Sequence, residues 1–228
     1  MSKVVQEKKE VMKKDSYAIL KALYHSGKVK PALNKILVEI ENDPENLDLT
    51  LLACQCLVRT KNFDDLATYA DAAIKLSPET ADGYFYKGVA FQSIKGKEQE
   101  ALKNFNEALK LDPDNTVYLK NKAITHLLLY TDYHLPISFA EKHRVKAEVS
   151  LLKIIELIEQ KSDADYIDFL TIGDVSIMLS RTLDAKKYFI KAVNAYNASD
   201  ESSRDTNLYK DIIKAQKACI KLMEKFTE

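Results

Sequence analysis

Apolar residues recur along this chain at the three- and four-residue spacing of amphipathic helices, and breaks interrupt them at regular distances. The clearest breaks are Asp43-Pro44, Ser77-Pro78 and Asp112-Pro113, which lie about 34 residues apart. A proline cannot continue a helix, and it disfavours helical geometry in the residue before it. Each break follows one helical run and precedes another, so the pattern predicts an array of one repeated unit.

The segment 81–115 shows the repeated unit most completely. Its pattern predicts two antiparallel helices, separated by a turn at Gly96 and ended by Pro113. Small residues would let the two helices approach closely, and aromatic residues would fill the space between them. The small residues are Gly88, Ala101 and Ala108, and the aromatic residues are Tyr84, Phe91 and Phe105.

This segment resembles a tetratricopeptide repeat, a family defined by small and aromatic residues at fixed positions of a 34-residue unit. The agreement covers Tyr84, Gly88, Phe91, Ala101, Phe105, Ala108 and Pro113, with one extra residue in the turn near Gly96. The resemblance implies an all-α fold, a right-handed α-solenoid of about five helix-turn-helix units with a C-terminal capping helix.

The rest of the chain contains less regular copies of this unit. We expect repeats near 13–46, 47–80, 81–115, 116–161 and 166–197, after a charged extension at 1–12 and before a capping helix at 206–226. Residues 13–228 would then form a single domain. The fourth repeat exceeds the usual length through an insertion at 130–146, and a helix resumes near Ala147.

Two of the copies depart from the pattern where their helices should meet. In the second repeat, Cys54 replaces the glycine and Ala70 the aromatic residue of the second helix, while Leu66 replaces an alanine. Such an exchange of volume between neighbouring positions could conserve the packing. In the first repeat Leu20 stands where glycine is usual, which predicts two helices spread wider apart.

Composition narrows the choice of functions. The formal net charge is zero, with 34 basic and 34 acidic residues, whereas a dedicated nucleic-acid binder normally carries a strong basic field. The cysteines Cys54, Cys56 and Cys219 are interpreted as small apolar core residues in a reducing compartment. No secretory signal and no membrane-spanning run is recognisable, so a cytoplasmic protein without membrane insertion is expected.

The resemblance also implies a binding surface, because the first helix of each unit lines the inner groove in this family. Such a groove would be largely apolar with scattered polar groups, and would suit a peptide or an amphipathic helix of a protein partner. Neighbouring repeats or the chain's own C-terminal helix could instead bury part of it. The expected groove residues are Tyr17, Lys21, Tyr24, Leu51, Gln55, Arg59, Phe85, Val89, Gln92, Lys120, Ile124 and Leu127.

The insertion provides a secondary candidate site. Its aromatic residues stand beside cations, a combination that can stack on bases or bind acidic peptides. The residues concerned are Tyr133, His134, Lys142, Arg144 and Lys146. The interpretation we prefer is a loop whose aromatic residues pack back on the array and whose cations begin a solvated helix.

Catalysis finds no support in the sequence. The four histidines lack the spacing of metal ligands, and no catalytic or phosphate-binding motif occurs, so no enzyme activity, metal or cofactor is expected. A family subset clamps the C-terminal carboxylate of chaperones with lysine, arginine and asparagine side chains. The matching positions here hold Tyr17, Lys21, Leu52, Asp82 and Tyr86, which do not supply that set, so a chaperone tail is not expected as the partner.

Three functions remain open on these grounds. The leading hypothesis is an adaptor or scaffold that binds a peptide or helix of a partner in its groove. The second is a structural subunit of a larger complex, which would use the edges and the convex face. An RNA-contacting repeat protein is the least favoured. A homodimer formed through the apolar face of the last helix is a further alternative to an intramolecular cap.

Overall fold

The computed structural model describes residues 16–199 together with residues 213, 214 and 217, and of Thr182 only the backbone. Within these residues the secondary structure is helical, without strands. The helices are α1 (16–25), α2 (Val29–Asn42), α3 (Leu47–Thr60), α4 (Phe63–Leu76), α5 (Ala81–Gln92), α6 (Glu98–Leu111), α7 (Thr116–Tyr130), α8 (Ile137–Glu159), α9 (Tyr166–Met178) and α10 (Thr182–Ala198). None of these described helices is both long enough and apolar enough to cross a bilayer.

Two compact units make up the chain, residues 1–125 and residues 126–228. In the first unit each helix packs on the next, from α2 to α6, and α3 also contacts α5. In the second unit α8 packs on α9 and α9 packs on α10. The single domain at 13–228 stays a prediction.

The helices end where the prolines predict. Helix α2 ends at Asn42, α4 at Leu76 and α6 at Leu111, each two residues before a proline. In each case the next residue still donates its backbone N–H to the last turn, as Ser77 does to the Ala73 carbonyl at 2.9 Å. The proline that follows then prevents another turn, because it has no N–H to donate.

The turn inside each helix pair passes through the left-handed backbone region. Gly27 has φ 79° and Gly96 has φ 87°, which glycine adopts without steric cost. The equivalent turns after α3 and α9 use side-chain-bearing residues, since Lys61 and Ser180 both have φ 58°. The same backbone turn therefore recurs in four helix pairs, although only two of them use the residue that suits it best.

Close helix approach depends on glycine facing a phenylalanine. A Cβ atom added to Gly88 would lie 2.6 Å from the Phe105 ring, and one added to Gly173 would lie 2.4 Å from the Phe189 ring. Both phenylalanines are buried, so neither ring can move aside without opening the core. In the first repeat, buried Leu20 belongs to a cluster that includes Ala32, Ile36, Leu49 and Leu52.

The region around the insertion is more helical than its sequence suggests. Helix α8 begins at Ile137 rather than near Ala147, so only residues 131–136 lie between α7 and α8. The added turns bury Ala140 and His143 in line with Ala147, which continues one helix face. The predicted extension at 1–12 lies outside the described residues. So does the capping helix at 206–226, apart from residues 213, 214 and 217, which are helical.

Candidate interaction surface

The first helices of the N-terminal unit are joined by polar contacts, beginning with α1 and α3. The Arg59 guanidinium carbon lies 5.0 Å from the centre of the Tyr24 ring, a cation–π geometry. An Arg59 Nη1 atom also donates to the Tyr24 carbonyl oxygen at 3.4 Å. These two contacts hold the exposed Arg59 side chain in one direction.

A second set of contacts joins α3, α5 and α7. Gln55 hydrogen-bonds with the Tyr86 hydroxyl, and the Tyr118 hydroxyl donates to Asp82 Oδ1 at 2.7 Å. Burial raises the pKa of Tyr86 and of Tyr118, and the negative charge of Asp82 raises both further. Both phenols are therefore neutral at physiological pH, and the Tyr118 hydroxyl holds Asp82 through its hydrogen bond.

Gln92 adds a third contact, between α5 and α7. Its Nε2 atom donates to the Asn121 carbonyl at 2.9 Å and to Thr125 Oγ1 at 2.7 Å. Thr125 is fully buried, and its hydroxyl both accepts this bond and donates to the Asn121 carbonyl at 2.9 Å, so the buried polar atom is satisfied. Polar bonds therefore tie each first helix of this unit to the next one.

The predicted groove residues differ widely in exposure. Lys21 and Arg59 are exposed, whereas Phe85 and Val89 are buried, at 9% and 8% exposure. Phe85 stacks on Tyr118 with 4.8 Å between ring centres, so it is mainly a packing residue. The remaining candidates are half-buried and present part of their side chains: Tyr17, Tyr24, Leu51, Gln55, Gln92, Lys120, Ile124 and Leu127.

Tyr17 lies at one wall of a cavity of about 250 Å³, together with Glu39, Asp43 and Asp48. Burial and the nearby negative charge of Asp48 raise the pKa of Tyr17. The surroundings of Tyr17 are thus acidic, whereas those of Tyr24 contain the cation of Arg59.

The two described cysteines are core residues, as their sequence context predicts. Cys54 and Cys56 are fully buried. Burial raises the pKa of the Cys54 thiol to about 12 and that of Cys56 to about 11. Thiols of this kind are poor nucleophiles and metal ligands at neutral pH. Cys219 lies outside the described residues.

Within the insertion, Tyr133 is not packed back as the preferred interpretation expects, whereas His143 is buried and its ring centre lies 4.5 Å from that of Phe139. Tyr133 is 86% exposed and its ring contacts only that of His134 among the described rings, at 4.0 Å between centres. Arg144 forms ion pairs with Glu141 at 2.7 Å and with Glu148 at 3.4 Å. Two carboxylates therefore offset one of the three cations that an RNA contact would use, while Lys142 and Lys146 stay exposed.

Sequence reasoning missed a buried histidine pair. The Nδ1 atoms of His126 and His143 lie 2.8 Å apart, so one ring donates to the other. Burial lowers the pKa of His143, and the charges of Lys146 and Lys142 lower it further, which favours the neutral ring. Among the described residues, no three histidine, cysteine, aspartate or glutamate side chains come together as metal ligands would.

The sequence matches no protein-family model and no curated protein. Solved structures do match its fold. TTC0263, a tetratricopeptide protein of Thermus thermophilus, has a TM-score of 0.66 at 15% identity, covering 89% of this chain and 97% of that chain. MamA of Desulfovibrio magneticus RS-1 has a TM-score of 0.52 at 14% identity, covering 82% and 97%. PilF of Pseudomonas aeruginosa has a TM-score of 0.50 at 16% identity, covering 79% and 70%.

The chain therefore has the fold of tetratricopeptide repeat proteins, and the all-α solenoid class predicted from its repeats is confirmed. At these identities the likeness concerns the fold, so the function rests on the chain's own residues.

Proposed function

We propose that this chain is a protein–protein interaction module, an adaptor or scaffold that binds a peptide or helix of a partner on the first helices of its N-terminal unit. The observation that supports this most is the chain of polar bonds from Tyr24 to Arg59, from Gln55 to Tyr86, and from Gln92 to α7. A surface held in this way loses little conformational entropy when a partner binds.

The side chains of this surface favour an apolar segment that carries acidic residues. Leu51 and Ile124 are half-buried, so they offer apolar area without being free to collapse into the core. Exposed Lys21 and the oriented guanidinium of Arg59 would pair with carboxylates beside Tyr24 rather than beside Tyr17, whose surroundings are acidic. No cofactor is needed for such binding.

A pair of matched variants tests the proposal. Tyr17→Ala with Leu51→Ala removes candidate groove side chains, whereas Ile19→Ala with Val38→Ala removes two exposed apolar side chains that are not groove candidates. Affinity capture from native lysate, quantified by mass spectrometry, should lose specific partners in the first variant and retain them in the second. Circular dichroism melting of both variants shows that the fold survives. Equal capture by both variants would refute the groove.

A structural subunit of a larger complex is the second candidate. It is favoured by two strongly exposed apolar side chains of the C-terminal unit, Tyr133 at 86% and Ile137 at 83%. If this function is the right one, Tyr133→Ser with Ile137→Ser should abolish co-purification with large partners. The groove variant should leave that co-purification intact.

A further inference from the structure

Helix α8 exposes a narrow apolar seam on its outer side. Val145, Val149 and Leu152 are 49%, 63% and 37% exposed, and their spacing of four and three residues places them along one line of the helix. The opposite side of α8 is buried through Ala147 and Ile154. A helix ordinarily needs only its core-facing side to be apolar, so this second apolar line calls for an occupant.

The two flanks of the seam carry opposite charges. In heptad notation Val145 and Leu152 occupy d positions and Val149 the a position between them. Glu141 and Glu148 then occupy g positions on one flank. Lys146 and Lys153 occupy e positions on the other flank. The apolar line is therefore bordered by acidic residues on one side and basic residues on the other.

We propose that a second copy of this chain binds to this seam, with its own α8 lying parallel to the first. A two-fold axis along the helices brings the acidic flank of each copy against the basic flank of the other. Each g residue then meets the e residue five positions further along the other helix. Glu141 pairs with Lys146 of the second copy, and Glu148 pairs with Lys153 of the second copy.

The antiparallel alternative lacks this complementarity. A two-fold axis across the helices would leave each flank facing its own counterpart, glutamate against glutamate and lysine against lysine. Like charges in such positions disfavour association and so act against that orientation. The charges of the e and g flanks thus favour an identical helix as the occupant, in the parallel direction.

The contact is short, which determines its strength. Lys142 and Glu156 occupy the a positions before and after the seam, where each would face its own counterpart in the second copy. The apolar contact is therefore limited to three layers. Interfaces of this size are weak and reversible, and the dimer should depend on protein concentration. The pairs of Arg144 with Glu141 and Glu148 are exposed and can rearrange when the lysines of the second copy approach.

Sedimentation equilibrium of the full chain tests the seam. Val149→Glu would bury a carboxylate without a partner at the centre of the contact, and it should weaken dimerisation by at least about tenfold. Val38→Glu is the matched control, because Val38 on α2 is 56% exposed and the chemical change is the same. A monomer at every concentration overturns the proposal. So does a dimer that Val149→Glu leaves unchanged, which would point to another surface such as the predicted last helix.

A charge-exchange experiment tests the direction. Glu141→Lys with Glu148→Lys makes both flanks basic, and Lys146→Glu with Lys153→Glu makes both flanks acidic. Each variant alone should be monomeric, whereas an equal mixture should associate about as tightly as the original chain, because both then form the same number of opposite-charge pairs. A mixture that associates far more tightly than the original chain would indicate antiparallel helices, since the original flanks repel one another only in that orientation. That result, dimers of the separate variants, or a mixture that stays monomeric would overturn the parallel pairing. The result does not depend on the groove, since groove variants leave these residues unchanged.

Discussion

The helix pairs α3–α4 and α5–α6 solve the same packing problem with different side chains. In α5–α6 the Phe105 ring lies against Gly88, where an added Cβ atom would be only 2.6 Å away. In α3–α4 the corresponding positions hold Cys54 and Ala70, and the missing aromatic volume is supplied by Leu66. All of these residues are buried. Volume is therefore matched within each pair rather than position by position.

This difference shows why the repeat tolerates exchange at its most specific positions. A core accepts new apolar residues when the total volume is kept and no side chain is forced out of a favourable rotamer. The glycine of α5 is needed only because a phenyl ring faces it. Where the facing residue is small, as Ala70 is, a cysteine can take the same place.

Loss of the Phe105 ring should have the largest effect on the stability of the protein. Phe105→Ala removes a fully buried phenyl group from between α5 and α6, and should cost about 3–5 kcal/mol of unfolding free energy. Urea denaturation followed by circular dichroism measures the change. Ala70→Gly is the comparison in α4, since it removes a single methyl group from the equivalent site. A loss below about 1 kcal/mol for Phe105→Ala would mean that the ring does not support this contact.

Giving α5–α6 the core residues of α3–α4 should recover part of the unfolding free energy that Phe105→Ala loses. The triple variant Gly88→Cys, Ala101→Leu, Phe105→Ala gives α5–α6 the residues of α3–α4. It should be more stable than Phe105→Ala alone by about 1–2 kcal/mol, because the leucine refills the cavity. The same denaturation assay applies. A triple variant no more stable than the single one would show that volume is balanced over more than one helix pair.

Adding a side chain at Gly88 alone should have a smaller effect on the stability of the protein. Gly88→Ala forces a methyl group against the buried Phe105 ring and should cost about 1–3 kcal/mol, partly offset by the better helix propensity of alanine. Thermal denaturation provides the measurement, with Asn106→Ala on the exposed side of α6 as the propensity control. If Phe105→Leu is already present, Gly88→Ala should become neutral or stabilising. A penalty that persists there would exclude the ring as its cause.

The ends of helices could be predicted from the sequence where a local backbone restriction determines them. The ends of α2, α4 and α6 follow from backbone restrictions at prolines, which act whatever the surrounding structure. The start of α8 could not be predicted in the same way. Its first turns are buried through Ala140 and His143, and neither provides the large apolar side chain on which a helical pattern depends.

The candidate surface was less predictable than the fold. Phe85 stands at a groove position of the repeat, yet it is buried by stacking on Tyr118, which lies far away in sequence. The same holds for the pairing of His126 with His143, since it depends on how α7 and α8 face each other. Tertiary packing determines contacts of this kind. The spacing of residues within one helix gives no information about them.

The turns of the two helix pairs allow the finest comparison. Lys61 after α3 adopts φ 58°, where its Cβ atom is crowded, whereas Gly96 after α5 adopts φ 87° without that cost. Lys61→Gly should therefore stabilise the protein by about 0.5–1 kcal/mol, and Gly96→Ala should destabilise it by about 1 kcal/mol. Urea denaturation midpoints at constant slope measure both changes.

Lys95→Gly is the control for this pair of turns, because it is the same substitution in the α5–α6 turn at a residue without positive φ. It should destabilise, since glycine there only adds freedom to the unfolded chain. If Lys61→Gly and Lys95→Gly shift the midpoint in the same direction, the left-handed backbone is not what distinguishes the two turns. Opposite shifts would show that α3–α4 retains a lysine at a position where its own backbone favours glycine.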